Sequence, residues 1–186
     1  ANRLIKSGKE DYLEKLNPKV FANIKFHYVN QKNQNGLGDA VLHAKELVGD
    51  DSFAVLLPDD LFFSDKSCLS QLIDTYEETN STVIAVNKID KENIHKYGVI
   101  SPGIKEYDAI LIDDIVEKPS AEDAPSDIAV CGRYIFTSLI FDYLEATNFD
   151  KSGEIQLTDA IKSLIQNQKV YARLYDGEKF DCGSKK

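Results

Sequence analysis

Residues 24–63 read IKFHYVNQKNQNGLGDAVLHAKELVGDDSFAVLLPDDLFF, and the order of elements within them decides the fold. Alternation over 24–29 predicts a strand, and the polar, glycine-bearing stretch 31–38 fits neither strand nor helix periodicity and reads as a loop. A helix is expected over 39–48, with Asp39 as N-cap or first-turn residue and Gly49 as its stop. Phe53-Ala54-Val55-Leu56-Leu57 is apolar on both faces, as an interior strand is, and ends at Pro58-Asp59-Asp60. Strand, helix, strand makes a right-handed crossover unit with a parallel sheet. Ligands of such sheets sit beyond the carboxyl ends of the strands, so the loop and the acidic pair should border one crevice.

The surrounding sequence extends the pattern. Residues 2–16 carry Leu4, Ile5, Tyr12, Leu13 and Leu16 at roughly helical spacing, and 67–78 do the same with Leu69, Leu72, Ile73 and Tyr76. Residues 82–86 read as a second interior strand. Residues 97–101, 109–117 and 127–136 are strand-like and separated only by turn signals, so they are expected to add antiparallel or mixed strands over the ligand end. Thr137 is expected to cap a helix ending near Glu145; a helix over 155–166, a strand over 170–175 and the start of another at 179–181 follow. The fold class is α/β: a Rossmann-like mixed, mainly parallel sheet flanked by helices, in a single domain over 1–186.

Bulk composition excludes several functions. The chain of 186 residues carries 22 Lys and Arg against 31 Asp and Glu, a net charge of −9 without a basic block, which argues against nucleic acid as a partner. Cys68, Cys131 and Cys182 are three in number and lack C-x-x-C spacing, so neither a disulfide framework nor a zinc site is suggested, and a reducing, cytoplasmic setting fits. His27, His43 and His95 are isolated. No apolar run approaches the roughly 20 residues of a membrane helix.

Few residues stand out chemically. Asp59, just past a buried strand and followed by Asp60, is where an α/β enzyme holds Mg²⁺ against substrate phosphates; a turn aspartate fits the spacing equally well. The loop at Gly36-Leu37-Gly38 would let backbone approach a flat base whose edge an amide such as Gln31 could read, and a tight turn explains it too. Glu117-Lys118-Pro119 ends an apolar strand; with the proline holding it extended, its two side chains should point to opposite sides, one toward sugar hydroxyls and one toward a phosphate, unless both are solvated. Gly98, between Tyr97 and Val99, leaves room for a sugar ring or simply starts a strand. Asp181 is a second metal ligand or a turn residue, and Glu154 a first-turn carboxylate. No nucleophile–base pair is evident.

Taken in order, Gln31 before Gly36-Leu37-Gly38, Leu57-Pro58-Asp59-Asp60, Tyr97-Gly98-Val99, Val116-Glu117-Lys118-Pro119, Cys131-Gly132-Arg133-Tyr134, 153–160 and Phe180-Asp181-Cys182-Gly183 resemble the bacterial UTP–glucose-1-phosphate uridylyltransferases, sugar nucleotidylyltransferases with a GT-A-like fold. The resemblance runs from about Tyr12 to Ser184. It implies transfer of a uridylyl group from UTP to glucose 1-phosphate, giving UDP-glucose and pyrophosphate without a covalent intermediate. By motif position, Gln31 and Gly36 would contact uracil, and Asp59 would bind Mg²⁺ with Asp181 as second metal contact. Gly98, Glu117 and residues 130–134 (Val130, Gly132 and Tyr134 among them) would frame the glucose, with Lys118 on its phosphate. A homo-oligomer, dimer or tetramer, is implied for the full-length form.

One departure matters: the G-x-G-T-R loop and downstream lysine with which that family holds the triphosphate are absent from this sequence. The chain contains no Met, and nothing follows the Asp-Cys-Gly motif beyond Lys186. The expectation is therefore an internal fragment, truncated at both ends and nearly inactive by itself. Rival readings are a related enzyme using dTTP or another nucleoside triphosphate, a non-catalytic nucleotide-sugar-binding module, and a glycosyltransferase, the last leaving the Glu-Lys-Pro and Asp-Cys-Gly motifs unexplained.

Overall fold

The computed structural model describes Tyr12 and residues 23–183. The chain divides into two units, Ala1–Asn30 and Gln31–Lys186. In the first, Tyr12 is helical, as expected; the rest of the helix expected over 2–16 lies outside the described residues. Residues 24–29 form no strand. Their alternation predicts one buried apolar face, but Ile24, Phe26 and Tyr28 are all exposed, and an apolar face left in water contributes little to holding a strand.

The second unit begins with two short helices, α1 (Leu37–Leu42) and α2 (Lys45–Val48), in place of one continuous helix. Asp39 sits in the first turn of α1, whose N-cap is Gly36, and Gly49 ends α2 at φ 64° as expected. There follow β1 (Phe53–Leu56), β2 (Asp60–Phe63), α3 (Cys68–Thr79), β3 (Thr82–Lys88), a 3₁₀ turn (Lys91–Lys96), β4 (Gly98–Glu106), β5 (Ala109–Glu117), β6 (Ile128–Phe136), α4 (Ile140–Ala146), α5 (Leu157–Ile165), β7 (Val170–Leu174) and β8 (Glu178–Asp181). Ser67 caps α3 by accepting from the Ser70 N–H at 3.1 Å. Thr137 does not cap α4, which starts three residues later; its buried hydroxyl has no partner among the described residues.

Six strands form one sheet in the order β1-β6-β3-β7-β5-β4, and β2 pairs with β8 in a separate ribbon. The sheet is mixed, as the α/β reading requires, but among the described residues only the β3–β7 pairing is parallel. The direction of the crossover strands is as expected, because β1 and β3 both run opposite to β6 and β3 runs with β7. What the sequence reading misplaces is 127–136: β6 lies between β1 and β3 in the main sheet instead of over its ligand end. β1 is consequently an edge strand of the described sheet with alternate residues exposed, not an interior one, whereas the first five residues of β3 are fully buried.

Helices cover both faces. Ile84, Val86, Tyr134 and Phe136 pack against Leu144, Ile161 and Leu164 of α4 and α5, while Val83, Ala85, Cys131 and Ile135 pack against Cys68 and Leu72 of α3. The β3–β6 register shifts between Ile84 and Val86, which pair with Tyr134 and Val130, so β6 bulges over Cys131, Gly132 and Arg133. A bulge re-aims side chains out of the ladder, and this one faces the β2–β8 ribbon. No helix of the described residues is long and apolar enough to cross a membrane.

Candidate active site

Where the sheet meets the β2–β8 ribbon there is a cavity of about 320 Å³, lined among others by Asp59, Gly98, Glu117, Lys118, Thr158 and Asp181. Val130, Gly132 and Tyr134 also line it, as do Leu37, Lys96 and Tyr97. All the expected sugar- and metal-site residues thus reach one space, though they come from positions spread over more than half the chain. Gln31 and Gly36 are outside its lining, six residues and one residue before Leu37.

The ribbon brings the carboxylates together. Antiparallel pairing sets Asp60 opposite Asp181, and the Cys182 N–H donates to the Asp59 carbonyl at 2.8 Å. A side-chain carbon added at Gly183 would lie 2.9 Å from Asp59 Oδ2 and 3.2 Å from Asp181 Oδ1, so both carboxylates face the same small volume. Two carboxylates open to solvent and substrate phosphates suit a hard divalent cation, and the donor set fits one. No group of three or more His, Cys, Asp or Glu among the described residues could hold a metal by protein ligands alone.

Asp59 and Asp60 do different work. Asp59 is exposed, whereas Asp60 is 8% exposed and fully committed: Lys179 Nζ lies 3.0 and 3.1 Å from its two oxygens, and the Gly132 N–H donates to Oδ2 at 2.8 Å. A Cβ at Gly132 would approach that oxygen to 2.7 Å, so the glycine is what lets the carboxylate reach the backbone of β6. Asp181 accepts from the Gly183 N–H at 2.9 Å and from the Tyr97 hydroxyl at 2.9 Å. These two donors, aided by Lys179 and Lys96 against the opposing effect of burial, hold its carboxyl below the ordinary range. Burial and the same hydrogen bond push the Tyr97 phenol up to about 12, and Lys179 lies 4.8 Å over its ring.

The end of the cavity away from the ribbon is built on β4, β5 and α5. Gly98 stands opposite Glu117 in the ladder, and Glu117 Oε2 accepts from the Thr158 hydroxyl at 2.7 Å. Lys118 is not extended: it has φ 44°, its N–H donates to the Tyr97 carbonyl at 3.1 Å, and its ammonium returns to within 3.3 Å of Glu117 Oε1. The two side chains therefore do not diverge as the following proline predicts; the backbone bond to Tyr97 turns the chain into a left-handed conformation that non-glycine residues rarely adopt. Tyr134 is 6% exposed and stacks on Phe136 at 5.3 Å between ring centres, with burial raising its phenol pKa.

The glycine loop over 31–38 is internally braced. Gln31 Nε2 donates to the Gly36 carbonyl at 3.2 Å and to Asp39 Oδ2 at 2.6 Å. Gly36 has φ 93°, and a Cβ there would meet Glu154 Cβ at 2.8 Å, so the glycine serves close packing against 154–155. Ile155 donates to the Asn35 carbonyl and accepts from the Gly38 N–H, at 2.7 and 2.9 Å. Glu154 lies ahead of α5, which begins at Leu157, and not in its first turn.

The loop before α5 is held by Asp150, whose Oδ1 accepts from the Ser152 hydroxyl, the Ser152 N–H and the Glu154 N–H, and whose Oδ2 accepts from Gln156. Those bonds, the Ser152 hydroxyl foremost, hold the Asp150 carboxyl far below the usual 3.8. The folded pKa is depressed, so the stabilisation is complete above the unfolded value and is lost only as pH falls through the folded one. A carbon-13 NMR titration should show the Asp150 carboxyl still ionised at pH 3.8, and Asp150→Asn should move acid unfolding to higher pH.

Thr158, Tyr97 and Lys179 carry no candidate role in the sequence reading, and Arg133 enters it only as part of the stretch 130–134. Thr158, Tyr97 and Arg133 do stand inside or beside the quoted motifs, which is the only local signal they give.

Residues 2–186 match the nucleotidyl transferase family. The chain belongs to that family. Among nucleotidyl transferases it is 46% identical over 179 residues to the UTP–glucose-1-phosphate uridylyltransferase of Staphylococcus epidermidis, covering 96% of this chain and 62% of that protein. It is 43% identical over 183 residues to the Bacillus subtilis enzyme of the same name, covering 98% and 62%. It superposes on a UDP-glucose pyrophosphorylase complexed with UDP-glucose at a TM-score of 0.88 and 38% identity, over 94% of this chain and 67% of the other. A UTP-bound UGPase from Acinetobacter baumannii gives a TM-score of 0.84 and 37% identity, over 99% and 64%. The chain thus spans 62% of the length of those two sequence relatives.

Proposed function

We propose that this chain is the central part of a UTP–glucose-1-phosphate uridylyltransferase, the remainder of which supplies the triphosphate grip. The observation that carries the reading is the single cavity onto which Asp59, Asp181, Glu117, Lys118 and Gly98 converge. Relatives named for this activity, and similar structures bound to UDP-glucose and to UTP, support it. In this reading an oxygen of glucose 1-phosphate forms a bond to the α-phosphorus of UTP while the bond to the β-phosphate oxygen breaks, releasing pyrophosphate.

Glu117, fixed by Thr158, accepts from sugar hydroxyls over Gly98, with Val130, Gly132 and Tyr134 closing the sugar end. Lys118 leaves Glu117 to meet the sugar phosphate. Gln31 has its amide N–H groups committed to Gly36 and Asp39, so its carbonyl oxygen is the group that meets the N3–H of uracil beside Gly36. Asp59 and Asp181 hold Mg²⁺, which when bound offsets the negative charge gathered on the reacting phosphates. The protein groups contribute position and electrostatics, which suffice for an in-line displacement.

The test is a competition assay with glucose 1-phosphate and equal UTP, dTTP and ATP, using the full-length protein and the 186-residue chain side by side. UDP-glucose should dominate the products of the first and be near background for the second. Preferential use of dTTP would move the assignment to a thymidylyltransferase, and no nucleotide sugar from the full-length protein would leave a binding module.

A further inference from the structure

Arg133 does not line the cavity, yet it holds the turn that carries Asp59. Its Nη1 donates to the Leu57 and Gly132 carbonyls, both at 2.7 Å, and its Nη2 donates to the Asp60 carbonyl at 2.7 Å. The guanidinium also sits 4.4 Å from the centre of the Phe62 ring. Leu57 and Asp60 flank Pro58-Asp59, so one rigid planar group ties down the backbone on both sides of the exposed carboxylate. Pro58 has no N–H with which to brace the turn from within. Arg133 stands opposite Leu56 in the β1–β6 ladder, within the stretch where β6 bulges against β3, so its side chain starts beside the turn it holds.

We propose that Arg133 is a positioning residue for the metal site: by clamping the turn between Leu57 and Asp60 it aims the Asp59 carboxylate at Asp181. This rests on the reading of Asp59 as a cation ligand. It touches no reacting atom, and its role is distinct from sugar contact, which the neighbouring Gly132 and Tyr134 are placed to make. A lysine cannot replace it, because a single ammonium does not span the two carbonyls that a planar fork reaches together.

The test is binding of Mn²⁺, followed by electron paramagnetic resonance, to the full-length protein saturated with UDP-glucose, whose diphosphate supplies the cation's remaining oxygens, and to its Arg133→Ala, Arg133→Lys and Asp59→Asn variants. Arg133→Ala should weaken Mn²⁺ about tenfold or more, the range typical of residues that orient a metal ligand. Arg133→Lys should recover only part of that loss, and in both variants the loss of Mn²⁺ affinity should exceed any change in UDP-glucose affinity measured without metal. If Arg133→Ala does not fold, Arg133→Lys carries the same comparison. Wild-type Mn²⁺ affinity in the folded Arg133 variants, with binding lost in Asp59→Asn, would overturn the positioning role alone, even if the melting temperature fell. Unchanged Mn²⁺ binding in Asp59→Asn would overturn the cation reading and this role together.

Discussion

Asp59→Ala in the full-length protein is expected to lower turnover of UTP and glucose 1-phosphate about a hundredfold or more, with little change in melting temperature. Asp59 is exposed and, among the described residues, hydrogen-bonds only through its backbone carbonyl, to the Cys182 N–H, so the fold does not depend on its side chain. Asp60 cannot take over, because it is buried and its charge is already neutralised by the Lys179 ammonium. Asp60→Ala should show the opposite balance. Leaving Lys179 uncompensated in a buried site costs about 3–5 kcal/mol, so its first symptom is a large fall in stability by chemical denaturation. Steady-state kinetics beside denaturation curves separate the two; near-normal turnover by Asp59→Ala at saturating Mg²⁺ would remove it from the metal site.

Lys118→Ala should reduce kcat/KM for glucose 1-phosphate by about 10- to 100-fold, the equivalent of one charge-assisted hydrogen bond of about 1.5–3 kcal/mol. Stability should change little, because the side chain is more than half exposed and, among the described residues, pairs only with its neighbour Glu117. Lys118→Gly separates the two contributions further. It removes the same charge but relieves the backbone at φ 44°, so it should match the alanine variant in kinetics and exceed it in melting temperature. A kinetic loss confined to UTP would assign Lys118 to the nucleotide instead of the sugar phosphate.

The sequence makes some features plain because their cause is local. The five consecutive buried residues of β3, the amphipathic stripe of α5 and the stop at Gly49 each follow from neighbours a few positions away. The place of β6 does not, because pairing with both β1 and β3 depends on residues some 40 to 80 positions distant, and periodicity carries no trace of it. The same limit hides the division of labour at Asp59-Asp60. Two adjacent carboxylates look alike until Lys179, 119 positions away, is found on one of them. At the glycine loop, conformational freedom is visible in sequence, but the packing of Gly36 against 154–155 is not. Lys118 shows a local rule overridden: Pro119 favours an extended residue before it, and the bond from Lys118 N–H to the Tyr97 carbonyl imposes a left-handed one.

The most direct measurement is an anomalous difference map from crystals of the full-length protein grown with UDP-glucose and Mn²⁺ in place of Mg²⁺. A single strong peak should fall between Asp59 and Asp181, with the glucose ring over Gly98 and its hydroxyls on Glu117. A metal peak away from both carboxylates, or a sugar bound elsewhere than this cavity, would contradict the assignment of the site.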